Sequence, residues 1–184
     1  MVKKFAGYGL LVCVLMATGG CLLESTLDAK GGGVMTFSYP LPKKEDFVSF
    51  QKQLQSPAVK LTSAEFVEGE KSHGNFKIQF DDVTQISTAQ FFSDVTVTRA
   101  DGPKKGTKSL TAKIKHKNPA KMPEKVLEPY GKEVKVVVTL PGTVVDSNGK
   151  VSGGNTITWT WDTGEFNATP EVVMTATYQA AAAQ

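Results

Sequence analysis

Apolar and polar residues alternate with a period of two in several segments of the chain after residue 33. This alternation is typical of half-buried antiparallel strands. The clearest segments lie at residues 34–39, 59–61, 76–80, 95–97, 110–114, 134–140, 157–161 and 172–176. Asn148-Gly149, between two of them, is typical of a tight hairpin turn. The pattern predicts an antiparallel sheet of about six to eight strands.

Two helices are expected beside this sheet. Phe47, Phe50 and Leu54 are spaced by three and four residues, so they form one apolar stripe on a helix that begins near Lys43. A second helix is predicted over residues 122–130. The predicted fold class is therefore α+β, a mainly antiparallel sheet with one or two packed helices.

The first 20 residues have the layout of an export signal that ends at a cysteine. Lys3 and Lys4 precede an apolar run, and small residues then lead to Cys21. The segment Gly19-Gly20-Cys21 resembles the lipobox of bacterial lipoproteins, which implies that Cys21 becomes a lipid-bearing N-terminus. An ordinary signal peptide cut near Gly20 is one alternative. An uncleaved anchor is another, although the run is shorter than the roughly 20 residues that a span needs.

Four segments follow from this interpretation. We predict a lipoprotein signal peptide over residues 1–20 and a lipidated N-terminus with a flexible tether over 21–33. The tether is expected because this stretch is small, polar and rich in glycine. A single extracytoplasmic α+β domain is predicted over 34–179, and a disordered tail over 180–184.

Composition argues against several classes of function. The formal net charge is +3, and it falls to about +1 without the two signal lysines, so nucleic acid is not an expected partner. The two histidines, His73 and His116, lie near no motif that would activate a nucleophile. Only Cys13 and Cys21 are cysteines, which leaves the exported domain without a disulfide partner. We expect no catalysis, no cofactor and no metal.

The hairpin predicted over residues 95–114 and its flank carry most of the excess positive charge. With Lys117, the basic residues number seven against Asp101 alone. This cluster favours contact with anionic lipid headgroups, or else it keeps edge strands soluble. The candidate headgroup contacts are Arg99, Lys104, Lys105, Lys108, Lys113 and Lys115.

Aromatic residues from separate segments are candidates for one apolar site. They could form ordinary core, or they could line a groove between helix and sheet that admits an acyl chain. The candidate groove residues are Phe47, Phe50, Phe91, Phe92, Trp159 and Trp161.

Residues 134–161 combine a valine-rich strand, a Leu-Pro-Gly break, an Asn-Gly turn and a strand with two tryptophans. This stretch resembles the LppM-like envelope lipoproteins, and a weaker resemblance extends back to about Phe76. The resemblance implies a mixed α+β domain at the bacterial cell envelope with a part in handling lipids or glycolipids. It brings no catalytic residues. In a cell with two membranes, Leu22 after Cys21 favours the outer membrane by the sorting rule of lipoproteins.

Together these observations predict a non-enzymatic envelope lipoprotein, held at the membrane by a lipid on Cys21. Its domain is expected to bind a lipid, a glycolipid or another amphiphile. The alternative is a structural or assembly lipoprotein that binds an envelope protein through an exposed edge strand.

Overall fold

The computed structural model describes residues 21–120 and 130–180. Within these residues the chain forms eleven strands, two α-helices and two short 3-10 turns. The strands are β1 (Cys21–Leu27), β2 (Gly33–Pro40), β3 (Val59–Val67), β4 (His73–Phe80), β5 (Val95–Asp101), β6 (Thr107–Lys115), β7 (Glu133–Thr139), β8 (Val144–Ser147), β9 (Lys150–Ser152), β10 (Thr156–Asp162) and β11 (Glu171–Gln179). The helices are α1 (Lys44–Gln53) and α2 (Thr163–Ala168), and the 3-10 turns are Val83–Thr88 and Gln90–Phe92.

The strands form two sheets. The larger has the order β3-β4-β2-β1-β7-β10-β9, and the smaller has the order β5-β6-β11-β8. Neighbouring strands are antiparallel except β1 and β7, which are parallel. Strands make up 52% of the structure, so the fold is mainly β. The predicted α+β class with one antiparallel sheet of six to eight strands is therefore correct only in part.

The segment expected to be a flexible tether is ordered. β1 lies in the middle of the larger sheet, where Cys21 is in register with Val134 of β7. In the turn at residues 28–32, Asp28 Oδ1 accepts hydrogen bonds from three consecutive backbone N–H groups at 2.8–3.0 Å. Arg99 Nη1 also donates to the Lys30 carbonyl at 2.6 Å. The tether prediction for residues 21–33 is wrong because long-range pairing and these turn contacts override a glycine-rich composition.

The segment around Asn148-Gly149 is a corner between the sheets. β8 pairs with β11 in the smaller sheet, whereas β9 pairs with β10 in the larger one. Asn148 Oδ1 accepts from the Trp159 indole N–H and from the Thr175 backbone N–H, each at 2.8 Å, and so joins both sheets. The hairpin predicted here is wrong. The tight turn lies at Gly153-Gly154, whose φ angles of 57° and 80° suit glycine.

The two sheets pack face to face, and α2 connects them by joining β10 to β11. The Phe166 ring of α2 lies 5.6 Å from Trp161 at the end of β10 and 4.9 Å from His116, which follows β6. We call this end of both sheets, where Cys21, Trp161 and Ile114 lie, the cysteine end. The hairpin end comprises the turns at residues 28–32 and 102–106. The two ends are about 20 Å apart, the length of a seven-residue strand.

The other predicted elements can be compared directly. The helix near Lys43 is confirmed as α1, and it buries Phe47 and Phe50. The helix predicted at 122–130 lies outside the described residues except for Tyr130, as does the tail predicted at 180–184 except for Ala180. The signal predicted at 1–20 lies wholly outside them. No helix in the described part of the chain is long and apolar enough to cross a membrane.

Candidate functional site

An apolar cavity of about 100 Å³ lies between the two sheets. Side chains of β1, β2, β7 and β10 form one wall, and side chains of β5, β6 and β11 form the other. Val83 and Ile86 of the first 3-10 turn contribute to the lining. The lining residues include Leu23, Leu27, Ile114, Trp159 and Met174, and none of them is charged.

On β1, β5 and β6 the burial of the lining side chains is graded along the strand. At the cysteine end, Leu23, Val95 and Ile114 are only partly buried. Towards the hairpin end, Leu27 is 5% exposed and Leu110 is 7% exposed. On these three strands the lining is therefore more accessible at the cysteine end, and we call the space beside Leu23, Val95 and Ile114 the mouth of the cavity.

Ser25 brings a polar atom into this apolar space. It follows Leu23 and precedes Leu27 on the inward face of β1, and it is 5% exposed. Its hydroxyl has no hydrogen-bond partner among the described residues. Most buried hydroxyl groups in proteins have a partner, so this atom requires an explanation.

Cys21 lies two residues before Leu23 on β1, so it is next to the mouth of the cavity but outside the lining. Because alternate residues of a strand face the same side, its side chain shares a face with Leu23 and Ser25. Burial raises the pKa of the Cys21 thiol. Burial also raises the pKa of Tyr39, and the neighbouring Tyr130 raises it further. The thiol of Cys21 is therefore poorly solvated. Lipidation of Cys21 stays a prediction.

The six candidate groove residues do not form one groove. Phe50 lies 4.8 Å from Phe91, and Phe91 lies 4.9 Å from Phe92, measured between ring centroids. Phe47 joins them through Phe76, so these four phenylalanines belong to a packed core beneath α1.

The two tryptophans both line a groove beside β9 but differ in their other contacts. Trp159 and Phe92 both line the inter-sheet cavity. Trp161 is half-buried and packs on Phe166 at the cysteine end. The apolar cavity therefore lies between the sheets and not between helix and sheet.

The candidate headgroup contacts lie at two different ends of the sheets. Arg99 binds the carbonyls of Lys30 and Ala29, so it holds the turn at residues 28–32. Lys108 pairs with Asp101 at 2.6 Å and lowers the pKa of that carboxyl group by a hydrogen bond. These residues lie at the hairpin end, as do Lys104 and Lys105 in the turn between β5 and β6.

The remaining lysines lie towards the cysteine end. Lys113 and Lys115 share the outer face of β6, where Lys113 is 3.7 Å from Glu171. Lys117 pairs with Asp94 at 3.0 Å. Among the described residues, no carboxylate lies within 4.0 Å of Lys104, Lys105 or Lys115. The basic residues therefore do not form one surface.

The histidines have structural contacts. His116 Nδ1 lies 2.6 Å from the Thr169 carbonyl, and His73 Nδ1 lies 3.0 Å from the Lys71 carbonyl. Within residues 21–120 and 130–180, no group of three His, Cys, Asp or Glu side chains could hold a metal ion.

Sequence reasoning missed the β1 side of the cavity. Leu23, Ser25 and Leu27 line it, and all three fall within the predicted tether. Their alternation after Cys21 is the signal that could have identified a strand.

Comparison with known proteins was made by family, by curated relatives and by solved structures. The LppM domain model matches residues 60–179. The chain belongs to the LppM domain family. This confirms the resemblance noted at residues 134–161 and extends it upstream to β3. Membership of the LppM family supports a cell-envelope lipoprotein.

Among solved structures, the fold is similar to the NMR structure of the LppM folded domain of Mycobacterium tuberculosis. The two share 13% sequence identity and align with a TM-score of 0.47 over 90% of this chain and 94% of that chain. The search of curated proteins gave no match.

Proposed function

We propose that this LppM-family protein is a non-enzymatic envelope lipoprotein that binds a lipid or other amphiphile in the inter-sheet cavity. The observation that supports this proposal is the apolar cavity itself, which has no charged lining residue and whose lining on β1, β5 and β6 is more accessible at the cysteine end. Cavities of this kind bury the apolar part of a ligand and leave its polar part at the mouth.

The position of the mouth fits a membrane-anchored protein. Cys21 is the first residue of β1, so a lipid on its sulfur would begin beside the mouth with no tether between them. The mouth would then face the headgroups directly. An acyl chain could pass from the bilayer into the cavity with little exposure to water, which is the main cost of moving apolar surface.

The proposal can be tested by filling the cavity. Ala112 lines it, whereas Ala100 is exposed on the outer face of β5. Ala112→Leu adds three carbons to the cavity, and Ala100→Leu makes the same change outside it. Each protein is purified without its lipid, offered envelope lipids and extracted for mass spectrometry. We expect bound lipid in the wild-type protein and in Ala100→Leu, and a large loss in Ala112→Leu.

Two outcomes would contradict the proposal. A folded wild-type protein that stays empty when offered envelope lipids would show that the cavity does not serve as a binding site. Equal amounts of lipid in the two leucine variants would place the lipid elsewhere on the surface.

A second candidate function is binding of an envelope protein through a strand edge. β9 pairs only with Thr156, Ile157 and Thr158, and no other described strand covers the rest of β10 on that side. A groove of about 400 Å³ lies beside this edge, and Val173 lines it with 37% exposure. A specific partner that binds the wild-type protein and Lys104→Gln, but not Val173→Lys, would favour this role.

A further inference from the structure

The Ser25 hydroxyl is surrounded by apolar side chains and has no hydrogen-bond partner among the described residues. Met35 and Val138 face it in register on the two neighbouring strands, and both are apolar. A buried hydroxyl without a partner is unfavourable, and an alanine at this position would avoid that cost. Because the hydroxyl points into a cavity, its partner can arrive with a ligand.

The chemistry of the cavity limits what that partner can be. No lining residue is positively charged, so a carboxylate inside would be buried without a counter-ion. A plain hydrocarbon would leave the hydroxyl without a partner. A neutral acceptor satisfies both conditions, and a carbonyl oxygen suits the site better than an ether oxygen, because it is the stronger acceptor and projects from the chain towards a donor.

The depth of Ser25 agrees with an ester carbonyl. Ser25 lies two residues below the partly buried Leu23, or about 6.6 Å along β1. A lipid with its ester carbonyl at Ser25 would keep its glycerol at the mouth and direct its chain towards Leu27. The cavity can take only the part of a chain next to its ester, because its volume of about 100 Å³ is below the roughly 150 Å³ of a cavity that holds benzene.

We infer that Ser25 determines ligand class, by making the cavity prefer an esterified acyl chain to an ether-linked chain or a free fatty acid. This inference rests on the proposed function. In the bound state the Ser25 hydroxyl donates to the ester carbonyl.

The test uses three short probes: 1,2-dioctanoylglycerol, its 1,2-dioctyl ether analogue, and octanoate. The protein is the full chain with Cys21→Ser, so that no lipid is attached, and with Trp161→Phe. Trp159 is then the sole tryptophan, and it lines the cavity, so its fluorescence reports binding. We expect the ester to bind about ten-fold more tightly than the ether, the effect of one buried hydrogen bond. Octanoate is expected to bind more weakly than the ester.

Two variants show whether Ser25 is responsible. Ser25→Ala should bind ester and ether with equal affinity, whereas Ser25→Thr keeps the hydroxyl and should keep the preference. If the protein that keeps Ser25 binds ester and ether with equal affinity, the inference is overturned and the proposed function is left intact. A preference that persists in Ser25→Ala would also overturn it. If no probe binds, the proposed function fails together with the inference.

Discussion

The cysteine end and the hairpin end of this molecule differ although the same strands run through both. Towards the hairpin end, Leu27, Val97 and Leu110 are buried, and Arg99 of β5 holds the turn at residues 28–32. At the cysteine end, Leu23, Val95 and Ile114 are partly exposed beside the mouth of the cavity. On these strands the core is more accessible at one end than at the other.

This difference assigns stability and function to separate places. Truncation of a fully buried side chain costs more stability than truncation of a partly exposed one, because more apolar surface is lost from the core. The hairpin end should therefore stabilise the fold, and the cysteine end should tolerate change as a binding site would. The basic residues of the hairpin end fit this view, since Arg99 and Lys108 make intramolecular contacts.

The largest expected contrast is between two leucines of β1. Leu27→Ala should lower the free energy of unfolding by about 3 kcal/mol, because Leu27 is only 5% exposed and its removal enlarges the cavity. The loss caused by Leu23→Ala should be smaller by at least about 1 kcal/mol, since Leu23 is already partly exposed. Urea unfolding of both variants measures the difference. Equal losses would mean that the two ends are equally well packed.

A smaller effect is expected at the turn that Arg99 holds. Arg99→Met removes two hydrogen bonds to the carbonyls of residues 29 and 30, so the free energy of unfolding should fall by about 1–2 kcal/mol. Lys105→Met, at the nearby tip, should change it by less than about 0.5 kcal/mol. Thermal unfolding compares the two. An Arg99 variant as stable as the Lys105 variant would contradict the structural role of Arg99.

Ser25→Ala should raise stability instead of lowering it. Removal of a buried hydroxyl that has no partner should add about 1 kcal/mol to the free energy of unfolding of the empty protein. For a domain of this size, the midpoint of thermal unfolding should rise by about 3 °C. A fall in the midpoint would show that the hydroxyl already has a partner when the cavity is empty.

The smallest effect concerns two lysines at opposite ends. In the lipidated protein, Lys115→Gln should weaken adhesion to vesicles that contain an anionic lipid by up to about 1 kcal/mol. Lys104→Gln should have no effect, because its turn lies about 20 Å from the cysteine end, beyond the Debye length of about 10 Å. The rate of protein transfer between vesicles reports both. A larger effect of Lys104→Gln would mean that the hairpin end faces the membrane.

Much of the fold could be predicted because its signals are local. The alternation from residue 134 to 140 identifies β7, and the spacing of Phe47 and Phe50 identifies α1. Phe47, Phe50, Phe91 and Phe92 come from two separate segments, and they pack together beneath α1.

The cavity could not be predicted because its signals are not local. β1 pairs with a strand more than a hundred residues later, and its inward residues include a serine. A short segment with that composition, followed by three glycines, is more typical of a linker. The position of the cavity depends on how two sheets face each other, which no single segment records. For the same reason, the sequence pattern grouped Trp161 with Trp159 although their surroundings differ.

The parallel pairing of β1 with β7 also sets an order of events as the chain folds from its N-terminus. Cys21 is made early, but its partner Val134 follows only after most of the chain. Until then β1 lacks one of its two neighbours, and the sulfur of Cys21 is more accessible than in the folded protein. Once β7 docks, the same sulfur lies at the edge of a closed sheet. Acylation of Cys21 would therefore compete with the arrival of β7, and slower folding of the later strands would favour the lipidated product.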